Sequence, residues 1–294
     1  CESKEHYKNY DKSTHSTYQQ NLKKYDVIHF DVQWCMMDAE DTDHVVDYIN
    51  EGILQELREA YGQIIPDAVR TAYGAMSYIK AATGNKFVVI IDEWDVLIRD
   101  EAQNHTLQET YIDFLRGMFK GTEPSRYIAL AYLTGILPIK KLKTQSALNN
   151  FEEFTMLDAG RMAPYVGFTE EEVHRLCEQY GCSYEQVKSW YDGYLLEDYQ
   201  VYNPKAVVSV MLNGKYKSYW SNTGSYEAIV PLINMDFDGL KSAIIEMLSG
   251  ASVEVDVTSF QNDTVSFANR EDVLTYLIHL GYLANDQDSR HVFI

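Results

Sequence analysis

Hydrophobic positions along this chain follow two regimes that meet near Asn149. In the first, short apolar runs alternate with helical periodicity. Residues 1–24 are polar and predict a surface connection with a short helix near 18–24. Tyr25-Asp-Val-Ile-His-Phe-Asp-Val32 alternates and is rich in β-branched and aromatic residues, which predicts a strand. Val45, Val46, Ile49, Ile53, Leu54 and Leu57 recur at helical spacing and predict a helix over 42–61, capped by Thr42 or Asp43. Val69, Ala72, Tyr73, Met76 and Ile79 predict a second over 67–82. After the turn signal Gly84-Asn85, the continuous apolar run Phe87 to Ile91 reads as a strand buried on both faces of a parallel sheet. A polar loop at 100–106, a helix over 107–119 and a third apolar strand at 125–134 follow. Strand, two helices, strand is the crossover unit of a parallel sheet, so residues 1–148 are expected to form an α/β domain.

The second regime, 149–294, predicts a mostly helical domain with a small β-hairpin. Thr169 and Glu172 form a capping-box signature opening a helix to Tyr180, which Gly181 stops. Ser183 to Tyr191 predicts another helix, and Trp190-Tyr-Asp-Gly-Tyr194 an aromatic turn. Pro204 occupies the first turn of a helix through Leu212. Trp220-Ser-Asn-Thr-Gly224 predicts a turn leading into a helix to Ile233. Helices at 240–249 and 271–280, an edge strand at 252–257, and a hairpin joining 282–284 to 291–294 complete the reading. The helices with a terminal hairpin suggest winged-helix character.

Composition narrows the function classes. A net charge of -19 opposes a generally basic nucleic-acid-binding surface and fits a cytoplasmic protein. No run of apolar residues is long enough for a spanning helix, so no membrane partner is expected, and no signal peptide is visible. Cys1, Cys35, Cys177 and Cys182 form no CxxC pair and read as structural thiols in a reducing compartment. The chain opens on Cys1 rather than Met and closes on the strand-like Arg290-His-Val-Phe-Ile294, so a fragment of a longer protein is expected.

Chemistry concentrates at strand ends. The apolar run 87–91 is followed at once by Asp92 and Glu93, and the crevice beyond the carboxyl ends of such strands is where α/β sheets bind ligands. This is the Walker B pattern: Asp92 would hold Mg²⁺, directly or through water, and Glu93 would polarise the water that attacks the γ-phosphate. The alternative is a buried strand followed by a solvated acidic turn. The next strand ends in Thr134 and Gly135, a sensor position for the γ-phosphate or an ordinary strand end. Asp95 could sit behind the metal or cap the following turn. Lys140 and Lys141 could reach phosphate or a neighbouring subunit, or be solvated. Arg99, Arg126 and Arg161 are candidate fingers acting in trans. Trp190, Tyr191, Tyr194 and Trp220 could form a recognition surface or an interdomain core. His29, His174 and His279 lack acids or Cys at ligand spacing and read as satisfied histidines.

Several of these stretches in one order resemble the bacterial predicted AAA-ATPase-like family, often joined at the C-terminus to a PD-(D/E)XK nuclease-like domain. The carriers are Lys24-Tyr-Asp-Val-Ile-His-Phe-Asp31, Val89-Ile-Ile-Asp-Glu-Trp-Asp95, Leu133-Thr-Gly-Ile-Leu-Pro-Ile139, Leu148-Asn-Asn-Phe151, Gly167-Phe-Thr-Glu-Glu-Glu-Val173, Trp190-Tyr-Asp-Gly-Tyr194, Tyr202-Asn-Pro204, Trp220-Ser-Asn-Thr-Gly224 and Leu277-Ile-His-Leu-Gly-Tyr-Leu283. The resemblance implies a P-loop NTPase core, ATP and Mg²⁺ as cofactors of the intact protein, a protein or nucleic-acid partner, and a homo-oligomer as one arrangement. The sequence departs from the family in one respect: no G-x-x-x-x-G-K-[ST] is present. That loop supplies the backbone cradle and the lysine for the phosphates. The P-loop core is therefore expected to be incomplete here, lacking its Walker A segment, with no ATP held by these residues alone. Two function classes follow: an ATPase whose cycle moves the helical domain, and a non-catalytic scaffold supporting a nuclease-like domain.

Overall fold

The computed structural model describes residues 16–136, 138, 148–219, 232–234, 237–258, 260, 267–285 and 292–293. The described residues divide into two compact units, the first ending at Phe151 and the second beginning at Glu152.

The first unit is an α/β layer. A short helix α1 (Ser16–Asn21) leads to strand β1 (Asp26–Asp31), helix α2 (Val32–Asp38), helix α3 (Val45–Tyr61), helix α4 (Ala72–Thr83) and strand β2 (Phe87–Asp92). Helix α5 (Val96–Asp100), helix α6 (His105–Phe119), helix α7 (Pro124–Tyr127) and strand β3 (Ile128–Leu133) follow. The sheet order is β1-β2-β3, all parallel, so β2 is the central strand. Phe87, Val89 and Ile91 are completely buried, while Val88 and Ile90 on the other face are only half-buried. The expectation of burial on both faces is thus met on one. β3 is less buried than its apolar sequence predicts, with Leu130 and Tyr132 exposed.

The core is made by the predicted helical stripe. Val45, Val46, Ile49, Ile53, Leu54 and Leu57 are all buried along α3, which packs on α4 and α6. Two predicted boundaries shift. Asp41 is the cap ahead of α3, accepting the N–H of His44 through a 3-10 turn at Thr42–His44, so neither Thr42 nor Asp43 caps it. Helix α4 begins at Ala72 because the Thr71 side chain accepts the N–H of Gly74. Helices α2 and α5 were not expected from the pattern.

The second unit opens with a 3-10 segment at Gly160–Tyr165. Strand β4 (Phe168–Thr169), helix α8 (Glu170–Tyr180), helix α9 (Tyr184–Tyr191), strand β5 (Asp192–Leu196), strand β6 (Tyr199–Tyr202) and helix α10 (Pro204–Asn213) follow. The capping box is present as read: Thr169 accepts the Glu172 N–H and Glu172 accepts the Thr169 N–H. The aromatic turn at 190–194 is instead the end of α9 and the start of a hairpin, β5–β6, within the antiparallel sheet β4-β6-β5. Helix α11 (Leu240–Leu248), strand β7 (Glu254–Val255), helix α12 (Arg270–His279) and strand β8 (Val292–Phe293) complete the unit. β8 pairs with β7 rather than with residues 282–284, so the predicted terminal hairpin is replaced by a long-range pairing. The readings placed on 220–231 fall outside the described residues.

A carboxylate and hydroxyl cluster at the sheet edge

Parallel register brings three strand ends to one edge. Asp31 of β1 lies opposite Asp92 of β2, and Leu133 of β3 lies opposite Ile91. Thr134, one residue further, donates its hydroxyl to Asp92 Oδ1. Asp92 is exposed at the sheet edge and also accepts the Glu93 N–H at 3.1 Å. The sequence-predicted trio Asp92, Glu93 and Thr134 therefore converges beyond the central strand.

The backbone around the trio is tied down from several directions. Thr134 N–H donates to Ile91 O at 2.9 Å, and Trp94 N–H donates to Thr134 O at 2.9 Å, so the two strand exits are laced together. Buried Tyr111 of α6 donates to Trp94 O at 2.8 Å, and its burial raises its hydroxyl far above the ordinary phenol range. Gly135 is required here: a Cβ would approach Trp94 Cδ1 to 2.6 Å and also strike Asp95. Glu93 itself has φ 51, left-handed backbone that side chains rarely adopt. Such strain persists at sites where surrounding structure enforces it.

Asp95 is completely buried. Its Oδ2 accepts the Ile136 N–H at 3.1 Å and faces Arg99 Nη1 at 3.4 Å. Of the two roles read for Asp95, its contacts are those of a brace behind the site, and it makes no side-chain cap to α5. Arg99 also pairs with Asp100 at 2.9 Å and Glu93 at 3.7 Å. Partial burial pushes the Glu93 carboxyl above its ordinary value; the Arg99 charge opposes this, while Asp95, Asp92 and Asp31 add to it.

Among the described residues, no three His, Cys, Asp or Glu side chains are arranged to hold a metal by themselves. The donors at the edge are all oxygen, which suits Mg²⁺ carried on a phosphate, since that ion takes one or two carboxylates and completes its shell with phosphate and water.

Other candidates separate from this edge. Arg126 lies ahead of β3, at the opposite end of that strand, paired with Glu123 at 3.1 Å. Arg161 belongs to the second unit and pairs with Glu152. Lys140, Lys141 and Trp220 lie outside the described residues. Tyr191 and Tyr194 pack within the second unit, whereas Trp190 is 52% exposed. His29 is exposed, His174 stacks on Tyr184 at 4.2 Å, and His279 lies 5.5 Å from the Phe260 ring. Cys35, Cys177 and Cys182 are free thiols, and burial with Asp31 and Asp38 nearby pushes Cys35 up to about 11. No described helix is long and apolar enough to cross a membrane.

Asp31 was not singled out by sequence reasoning, although it ends β1 as Asp92 ends β2. The bracing roles of Tyr111 and Gly135 were likewise invisible as roles, because each acts on a loop remote in sequence.

A family model described as "Predicted AAA-ATPase" matches residues 2–144. Among curated proteins, the chain is similar to an "Uncharacterized protein in vnfD 5'region" of Azotobacter chroococcum mcd 1, with 26% identity over 182 residues. That alignment takes in 61% of this chain and 33% of the relative, so the chain spans about a third of the curated protein it matches. No solved structure shows significant similarity.

Proposed function

We propose, taking residues 2–144 as a predicted AAA-ATPase-like region, that the intact protein binds and hydrolyses ATP at the carboxyl edge of the β1-β2-β3 sheet. The observation that carries this reading is the convergence of Asp92, Glu93 and Thr134 beyond the central strand. Asp92 is assigned to hold the Mg²⁺ of the nucleotide, with the Thr134 hydroxyl at its flank. When bound, the ion would supply positive charge that neutralises the phosphates. Glu93 is assigned to orient and deprotonate the attacking water. Its upward-shifted carboxyl suits that role, because a base works best when its value approaches the working pH. Thr134 is the sensor: its hydroxyl already touches Asp92 and can exchange that contact for a phosphate oxygen.

No G-x-x-x-x-G-K-[ST] occurs among these residues, so the phosphate cradle is assigned to the intact protein outside them. This chain alone is expected to bind ATP weakly. Turnover is proposed to move the helical unit against a protein or nucleic-acid substrate in the cytoplasm.

Phosphate release from ATP by the intact protein tests this. Glu93→Gln should lower turnover by about a hundredfold or more while ATP binding persists. Equal turnover in wild type and Glu93→Gln, or no ATP turnover in the intact protein, would overturn the reading. A second reading, a non-catalytic scaffold for a nuclease-like domain, draws on one observation: Trp190 presents an exposed aromatic surface. It predicts that Glu93→Gln changes no activity.

A further inference from the structure

Arg99 of α5 faces three carboxylates at once. Its Nε meets Asp100 Oδ1 at 2.9 Å, and its Nη1 meets Asp95 Oδ2 at 3.4 Å and Glu93 Oε2 at 3.7 Å. The side chain is only 18% exposed. Asp95 is completely buried and held by the Ile136 N–H, so the anchor under Arg99 is itself fixed. A guanidinium gripped on two edges has lost its rotamer freedom before it meets a third partner. Glu93, on left-handed backbone, points its carboxylate toward that fixed charge. At 3.7 Å the contact is an ion pair rather than a hydrogen bond. The Glu93 oxygens therefore keep their capacity to accept a proton from water.

We propose that Arg99, locked by Asp95 and Asp100, is a positioning residue that fixes the Glu93 carboxylate in its working orientation. The proposal rests on the ATPase reading above for Glu93. It also gives Arg99 a role within its own subunit, since a guanidinium committed to three acids of its own chain is not free to reach a neighbour. The arrangement explains why a buried acid, Asp95, stands three residues after Asp92: it grips the arginine and the exit of β3 together.

Steady-state kinetics of the intact protein, with wild type, Arg99→Gln, Arg99→Lys, Glu93→Gln and the double variant Arg99→Gln/Glu93→Gln, tests the proposal. Arg99→Gln should lower kcat about tenfold with KM for ATP changed less than about twofold. In the Glu93→Gln background, the same change should cost little further, because the residue it acts through is gone. An Arg99→Gln kcat within about twofold of wild type, or a full additive loss in the double variant, would overturn it. Should Arg99→Gln fail to fold, Arg99→Lys carries the same test. Its compact ammonium cannot span both anchors, and a loss of about threefold or more in kcat is expected. If the intact wild type turns over no ATP, the ATPase reading fails separately. The orientation claim is then decided by ¹³C relaxation of the Glu93 side chain, which should be ordered in wild type and mobile in Arg99→Gln. Equal mobility in both would overturn it.

Discussion

Asp95 accepts the backbone N–H of Ile136 at 3.1 Å from a completely buried position, tying the exit of β2 to the exit of β3. Removing that acceptor leaves a part-buried N–H without its partner and withdraws one of the anchors of Arg99. Asp95→Ala should cost about 3–5 kcal/mol of folding stability, the range for breaking a buried ion pair by removing one partner. Asp95→Asn keeps an acceptor for Ile136 and should cost less. Chemical denaturation of the two variants checks the order.

Gly135 sits where a methyl group has no room. Its Cβ would lie 2.6 Å from Trp94 Cδ1 and press on Asp95, and Trp94 is itself buried at 3% exposure. Gly135→Ala should therefore destabilise by about 1–3 kcal/mol, as overpacking does. The Thr134 amide should shift in an NMR spectrum, because the strain falls on the residue beside it.

Glu93 is held at a cost. Partial burial raises its carboxyl above the ordinary 4.5. A folded-state value above the unfolded one means the native protein binds the extra proton between the two. Stability then falls as pH rises through that window, and the penalty is complete above it. Glu93→Gln should therefore melt at or above the wild-type temperature at neutral pH. The advantage should shrink as pH drops toward 4.5. Melting curves across that range check the sign; a variant that melts lower at neutral pH would show that the Arg99 ion pair outweighs burial.

Thr134 contributes a hydroxyl at a half-buried position. Thr134→Val should change stability by about 1 kcal/mol or less, since one side-chain hydrogen bond near solvent is weak. Under the proposed function it should lower ATP turnover about tenfold or more, and Thr134→Ser should restore most of it. Parallel melting and phosphate-release measurements separate the two effects.

The central strand was legible because five apolar residues followed by two acids have few other uses. The helix over 45–61 was legible because its six apolar positions keep one phase from Val45 to Leu57. Helix α2 was not, since only Val32 and Cys35 of its seven residues are buried while Trp34 and Met37 face outward. The β5–β6 hairpin was hidden by its turn, where Glu197 adopts φ 52 in place of the glycine or asparagine that would have flagged it. The β7–β8 pairing joins Glu254 to Phe293 and has no local signature. At the site, Asp92, Glu93 and Thr134 could be read from strand ends. The Asp95–Arg99–Glu93 network could not, because it rests on side-chain contacts of 3.4 and 3.7 Å that no local sequence pattern signals.

The most direct measurement uses Mn²⁺ in place of Mg²⁺ in the intact protein. Electron paramagnetic resonance of Mn²⁺ with ATP should show a bound ion in wild type, and Asp92→Asn should weaken that binding by about tenfold or more. Equal Mn²⁺·ATP binding in wild type and Asp92→Asn, with both proteins folded, would contradict the placement of the metal at the end of the central strand.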